Sequence, residues 1–326
     1  MAGKNSHITY YIRGFMMTLT PRWLLALREK RIMAEYARRA DKSDIDARVD
    51  YYNRLAGVCE LPADASRTLA DHTYRKRTGN STYFFDTFEF TRYFSKAFRW
   101  MHQPGDVTSL FDYPTVVKSR PLADDERGRA VNSVVMKLDK VRHFMFVNDP
   151  IALTDKKPVV LFRGDAHGKP GRIDFLDKFM GKEGFDAGDV GGRIDARYRA
   201  GKLSIGEHLH YRYIMALEGY DVASNLKWVM SSNCVAVMPR PTCETWFMEG
   251  TLRPDYHYIE IKPDYSDIEE RISYYNSHPD EAQAIVDHAH EYVRQFLDRK
   301  KERIVSYLVM RKYFAHTAVD GKVQLP

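Results

Sequence analysis

Apolar runs alternate with polar junctions most clearly between residues 211 and 272. Residues 211–218 (YRYIMALE) are apolar enough to form a buried strand, Gly219 ends it, and residues 222–231 (VASNLKWVMS) have a polar start and helical character. A second short apolar run, 233–238 (NCVAVM), is closed by Pro239 and Pro241. Strands alternating with helices at this spacing predict parallel pairing, because parallel neighbours need a crossover element between them. Ligands of such sheets bind at the carboxyl ends of the strands, where the polar junctions 218–225 and 239–244 fall.

The remaining pattern extends this α/β reading in both directions. Residues 20–40 predict a helix, with Thr20 as cap, Pro21 in the first turn, and Leu24, Leu27 and Met33 on its apolar face. The aromatic stretch 82–100 is either a helix or a strand followed by a helix, and periodicity does not choose between them. Residues 159–162 form a short buried strand that runs straight into a glycine-rich loop, 163–172 (RGDAHGKPGR). Residues 182–201, rich in Gly, Asp and Arg, predict an irregular connection. Ser266 and Glu269 have capping-box spacing for a helix through Tyr275. Pro279 opens a longer helix that buries Ala282, Ile285, Ala289, Val293 and Phe296, and a last helix spans 302–314. A polar linker at 148–157 separates an expected first domain, 1–150, from a second, 151–300, with 301–326 as a terminal helix.

Composition supports two domains. The chain has 326 residues, 44% hydrophobic and 13% aromatic, against a soft prior of about 150 residues per domain. No apolar stretch is long enough to span a bilayer. The net charge of +6 is spread along the chain, which suits a phosphate-bearing ligand or an anionic membrane surface, and no nucleic-acid-binding signature accompanies it. Arg22, Arg28, Lys30, Arg31, Arg38 and Arg39 make the polar face of the 20–40 helix basic. That face is either an ordinary solvated one or a contact for anionic lipid headgroups. With three cysteines and no secretory signal in the opening residues, a reducing cytoplasm is the expected compartment.

Two stretches carry candidate chemistry. The 163–172 loop, between a strand and a helix, lets backbone N–H groups approach an anion while Arg163 and Arg172 supply charge. Pro170 follows Gly168-Lys169, so it is not a P-loop. Asp112 precedes Tyr113-Pro114, which holds the backbone extended; the carboxylate is either a turn residue or a group projected into a cleft. His208 and His210, two apart, lack a third partner for a metal. An Asp-x-Asp sugar-nucleotide motif is not found in the second domain, which favours metal-independent chemistry with no cofactor.

Residues 218–238 (EGYDVASNLKWVMSSNCVAVM) and 244–272 (ETWFMEGTLRPDYHYIEIKPDYSDIEERI) together resemble glycosyltransferase family 90. The family includes protein O-glucosyltransferases, fungal capsule-associated xylosyltransferases and bacterial lipopolysaccharide-core transferases. The resemblance reaches back through Phe162-Arg163-Gly164 and Asp112-Tyr113-Pro114. It implies a GT-B-type fold of two Rossmann-like domains with the active site in the interdomain cleft, the terminal helix crossing back to the first domain. It also implies an inverting transferase that moves a sugar from a UDP-sugar to a glycan or glycolipid hydroxyl, with lipopolysaccharide core as the expected acceptor. A protein or capsule acceptor, or a non-catalytic regulator on the same fold, are the alternatives. Asp112 matches the family's general base; Arg163, Gly164, Arg172, Ser224, Asn225 and Lys227 match its donor-binding positions. Asn225 stands where the family commonly has an arginine, with Lys227 nearby as a substitute charge. Glu244 is the candidate for the ribose hydroxyls, since a carboxylate can accept from two vicinal O–H groups.

Overall fold

Helical spacing in the first 52 residues resolves into three helices, α1 (His7–Thr18), α2 (Arg22–Arg38) and α3 (Lys42–Tyr52). The protein is described by a computed structural model covering residues 7–325. The expected 20–40 helix is α2, with Pro21 rather than Thr20 at its N-cap. The N-terminal helix α1 has no counterpart among the expected elements. In α3, Ile45, Val49 and Tyr52 are buried at spacings of four and three residues, one face of a helix. The aromatic stretch becomes α4 (Ser81–Thr91), whose Phe84, Phe85 and Phe90 are buried, followed by a two-residue strand at Arg99–Trp100.

Among the described residues, 7–141, 243–247 and 296–325 form one compact unit, and Arg142–Thr242 with Met248–Gln295 form another. The first unit contains a small parallel sheet in the order β1 (His102–Gln103), β2 (Thr115–Val117), β3 (Ser133–Val135). Val116, Val117, Val134 and Val135 are all fully buried, so the strands read as continuous apolar runs rather than alternating ones.

The second unit is a five-stranded parallel sheet with helices. Its strands are β4 (Lys157–Gly164), β5 (Phe185–Asp189), β6 (Tyr211–Met215), β7 (Val235–Met238) and β8 (Ile259–Glu260), in spatial order β8-β7-β6-β4-β5. The helices are α5 (Pro170–Phe179), α6 (Ile268–Ser277) and α7 (Pro279–Arg294). The expected strands at 159, 211 and 233 are present and parallel. β5 lies inside the stretch expected to be irregular: FDAGD has poor strand propensity, yet β5 takes the sheet edge in register with β4. The expected helix over 222–231 shrinks to one turn, Leu226–Val229. The capping box at Ser266 is not formed, since Ser266 Oγ donates to Asp264 at 2.8 Å and the helix begins after Asp267.

The last helix is α8 (Arg299–Ala315), capped by Asp298, which accepts from the backbone N–H of Lys300 and Lys301, and the short strands Thr317–Val319 and Lys322–Val323 follow it. It packs on α2, α3 and α4 within the first unit. Glu302 on α8 is buried and accepts from Arg48 at 2.7 Å, Lys137 at 2.6 Å and the Trp246 indole at 2.8 Å. Trp246 in turn stacks on Tyr52, with centroids 3.9 Å apart. Burial acts to raise the Glu302 carboxyl, but the Lys137 and Arg48 charges bring it below its ordinary range. Arg120 and Glu244 form a second buried pair at 2.7 Å, which holds the Cys243–Thr245 strand antiparallel to Ser119–Pro121.

His72 and His102 flank Trp100, and burial pushes both imidazoles down to about 3. Neither His102 nitrogen has a hydrogen-bond partner among the described residues. In the unfolded chain these rings take a proton near pH 6.5; in the folded chain they do not, so their contribution is full above that pH and declines as pH falls towards 3. Urea unfolding at pH 7.5 and pH 5 should show that His102→Phe, which keeps the stack on Trp100, loses about 2 kcal/mol less stability over this interval than the parent chain. Equal losses would mean that the His102 ring is already protonated when folded.

Candidate active site

The carboxyl ends of β4, β6 and β7 open onto a cavity of about 290 Å³ within the second unit. Lys169 to Arg172 form one wall, Ala216 to Gly219 another, and Met238 to Thr242 a third, with Glu249, Pro263 and Tyr265 completing the lining. Local sequence explains the shape. β4 stops at Gly164, where a Cβ would lie 2.9 Å from the Phe162 ring and 3.3 Å from Arg172 Nη1, so only glycine lets the guanidinium lie this close. A turn with Gly168 at φ +70° then leads to Pro170 in the first turn of α5. Tyr265, at φ +62°, donates its phenol to the Gly171 carbonyl at 2.9 Å and fixes the start of α5 against the loop before α6.

Arg172 is the electrostatic centre of this cavity. Its guanidinium donates to three carbonyl oxygens, Glu218 at 3.0 Å, Asp165 at 3.0 Å and Leu217 at 2.7 Å, and to no carboxylate. Burial pushes it below its ordinary value, yet an arginine remains charged throughout the working pH range. A half-buried cation held by neutral acceptors keeps its charge at the cavity wall. Lys169 adds to it, and so does the N-terminus of the ten-residue helix α5. Lys169 Nζ lies 4.8 Å from the Tyr220 ring centre and 3.6 Å from Asp165. On the opposite wall, Glu218 accepts from the Thr242 backbone at 2.9 Å and from its hydroxyl at 2.6 Å, which holds the loop after β7 in place. Such a site suits a ligand that combines an anionic group with hydroxyls.

Of the residues expected from sequence, Arg172 lines the cavity and Gly164 stands directly behind it. Arg163 turns the other way: it pairs with Asp186 and donates to the carbonyls of Asp186 at 2.8 Å and Gly201 at 3.2 Å, so it braces β4 against β5. Ser224 is exposed beside the cavity, and Asn225 donates to the Met215 carbonyl at 2.9 Å, tying the following turn to the end of β6. Lys227 is fully buried, with Nζ 2.5 Å from Glu249 Oε1. It therefore supports the cavity from behind Glu249 and does not line it. Glu244 belongs to the first unit, where Arg120 at 2.7 Å, Arg54 at 3.3 Å and Tyr51 hold its carboxylate. The expectation that it meets ribose hydroxyls followed from chain order; in the structure its carboxylate is engaged by Arg120. Asp112, also in the first unit, has an exposed carboxylate 3.1 Å from Arg129 and 3.3 Å from Arg127.

Lys169, Glu218, Arg240, Glu249 and Tyr265 were not among the expected site residues. Glu218 and Arg240 do fall in the polar junctions after two strands, which was the available signal. Glu249 and Tyr265 lie outside the two polar junctions and become neighbours of the other lining residues only through the fold.

A parallel α/β sheet with a charged arginine in a pocket at its strand ends is an arrangement that suits an anionic ligand. Comparison with known proteins makes this specific. Residues 134–318 match the description Glycosyl transferase family 90. The chain is 38% identical over 315 residues to the O-glucosyltransferase LpsA of Dichelobacter nodosus, covering 94% of this chain and 95% of that protein. Two uncharacterized viral proteins, 035R of Invertebrate iridescent virus 3 and 179R of Invertebrate iridescent virus 6, are each 28% identical over 109 residues, about a tenth of their own length. The chain belongs to glycosyltransferase family 90 and is a glycosyltransferase.

The buried Lys227–Glu249 pair yields a test of its supporting role. Lys227→Met leaves Glu249 as a buried charge without this partner and should destabilise the second unit by about 3–5 kcal/mol. The double variant Lys227→Met/Glu249→Leu should recover most of that loss in urea unfolding. If Lys227→Met instead leaves stability intact, the lysine does not act as the support of Glu249.

Proposed function

We propose that this GT-B-type enzyme transfers glucose from UDP-glucose, with inversion, to a hydroxyl of a bacterial glycolipid, lipopolysaccharide core, on the cytoplasmic side of the membrane. The observation that carries the donor assignment is the Arg172 guanidinium, charged, half-buried and without a carboxylate partner at the ends of a parallel sheet. Glucose follows from the name of the Dichelobacter relative.

In the reaction the acceptor oxygen bonds to the anomeric carbon as the bond from that carbon to the diphosphate oxygen breaks. The acceptor proton passes to the Asp112 carboxylate, and UDP leaves with the bonding pair. Negative charge grows on the departing diphosphate, so the fixed cations Arg172 and Lys169 and the α5 N-terminus act where the barrier is lowered. They take the part assigned from sequence to Arg163 and Lys227. Glu249 and Glu218, the carboxylates that line the cavity, accept from donor hydroxyls in this scheme. No cofactor enters this scheme, and the donor diphosphate is held by protein cations.

Release of UDP from UDP-glucose, UDP-galactose, UDP-xylose and UDP-N-acetylglucosamine tests the donor, with UDP-glucose expected to turn over fastest; equal indifference to all four would remove the assignment. Asp112→Asn should keep UDP affinity by calorimetry and lower transfer by about 10²–10⁴-fold, and near-normal turnover would exclude Asp112 as base. Turnover should survive EDTA, and activity restored only by added Mg²⁺ or Mn²⁺ would overturn the metal-free scheme.

A further inference from the structure

Seven of the thirteen large apolar side chains that stand exposed among the described residues fall between Ile8 and Leu27. On α1, Ile8, Ile12 and Met16 recur every fourth residue on the side away from Tyr10 and Gly14, which pack towards α4 through Asp86 and Phe85. Ile8 is 74% exposed, and Leu19, in the turn that follows, is 81% exposed. The stripe continues on α2. Trp23 and Leu27 are exposed and one turn apart, while Leu25 and Ile32, on the opposite face, are buried. A single exposed apolar residue is ordinary, but a continuous run of them across two helices is not.

The charges on the same helices indicate what covers this stripe. At 100° per residue, Lys30, Arg31 and Arg38 fall on the face of α2 that carries Trp23 and Leu27, and all three are exposed. Residues 7–40 contain only two acidic side chains, Glu29 and Glu35. Glu29 accepts from the Tyr307 hydroxyl, and Glu35 pairs with Lys300, so both are engaged by α8. Exposed aliphatic side chains, an interfacial tryptophan and cations without intervening carboxylates are the combination that binds in the headgroup region of an anionic bilayer. Among the described residues no helix is long and apolar enough to cross a membrane, so the contact is one that lies on the surface. A second protein copy would need its own acidic, apolar complement to this face.

We propose that α1 and the exposed face of α2 form a docking surface for a bilayer carrying anionic headgroups, with Ile8, Ile12, Leu19 and Trp23 entering the interface and Lys30 and Arg31 meeting the headgroup charge. This deepens the glycolipid-acceptor reading, since it gives the enzyme a way to meet a membrane-held acceptor. Vesicle binding is measured without donor or acceptor, so its failure is separable from failure of the catalytic reading.

The test is co-sedimentation of the full chain with phosphatidylglycerol/phosphatidylethanolamine vesicles and with phosphatidylcholine vesicles at low salt. The chain should pellet with the anionic vesicles and much less with the zwitterionic ones. Trp23, the one exposed tryptophan of the four, should shift its emission to shorter wavelength on binding. Ile12→Ser/Leu19→Ser/Trp23→Ser and, separately, Lys30→Glu/Arg31→Glu should each weaken partitioning about tenfold or more. UDP-glucose hydrolysis in solution should stay unchanged and so report an intact fold. A chain that stays in the supernatant, or a triple serine variant that pellets like the parent, would overturn the proposal. So would light scattering that shows a dimer in the parent and a monomer in the serine variant, because the occupant would then be a second copy.

Discussion

The Glu302 carboxylate is the constraint on which the first unit depends. Three donors meet it, from Arg48 on α3, from Lys137 beyond β3 and from Trp246 in the 243–247 segment, while Glu302 itself sits on α8. Four stretches that are remote in sequence thus converge on one buried acid. Removing such a group from water is costly unless every lone pair is used, and here the burial cost is offset by two cations and an indole N–H. Loss of Glu302 leaves Arg48 and Lys137 as buried cations without their shared acid. Arg120 and Glu244 repeat the logic a short distance along the chain, pinning the Cys243–Thr245 strand to Ser119–Pro121.

The second unit solves a different problem. Its core is apolar and continuous, from Val160 and Phe162 through Tyr213 and Val235 to Ile259 and Ile285, and its polar chemistry is confined to the strand ends. Arg172 illustrates how the two are joined. The sheet positions Glu218, Asp165 and Leu217 so that their carbonyls hold the guanidinium rigidly without neutralising it. A carboxylate partner would have given a stronger local bond and removed the charge needed for an anionic ligand. Pre-positioned charge of this kind requires no rearrangement when negative charge develops on a leaving group.

Much of this was legible in the sequence, and the exceptions have identifiable physical causes. The apolar runs of β4, β6 and β7 announced parallel strands, and the polar junctions after them marked the cavity, because strand ends and ligand sites coincide in such sheets. Arg172, singled out beside a glycine-rich turn, lines that cavity. Arg163 and Lys227 were misdirected by proximity to the same motifs: neighbours along a strand point to opposite sides, and a helical lysine facing the core takes the nearest acid. Glu244 was assigned to the sheet whose strand it follows, although a buried arginine more than 120 positions earlier claims it. Helix α1 was passed over although Ile8, Ile12 and Met16 recur at helical spacing; that they point outward shows only in the fold. β5 was missed because its sequence is poor in strand formers and it is held by the edge of β4. In each case the deciding partner was distant in sequence.

The discontinuous first unit carries a consequence for biosynthesis. Residues 142–295, apart from the short 243–247 excursion, lie within one uninterrupted span, so the second unit has all its strands synthesised before α8 has been translated. The amino-terminal lobe, although made first, must wait for the last thirty or so residues before Glu302 arrives to complete it. During that interval Arg48 and Lys137 lack the Glu302 carboxylate, and the nascent chain carries an open polar seam. Ribosome-bound intermediates of this enzyme therefore mature from the middle outward, and truncation near residue 296 strands the portion synthesised earliest.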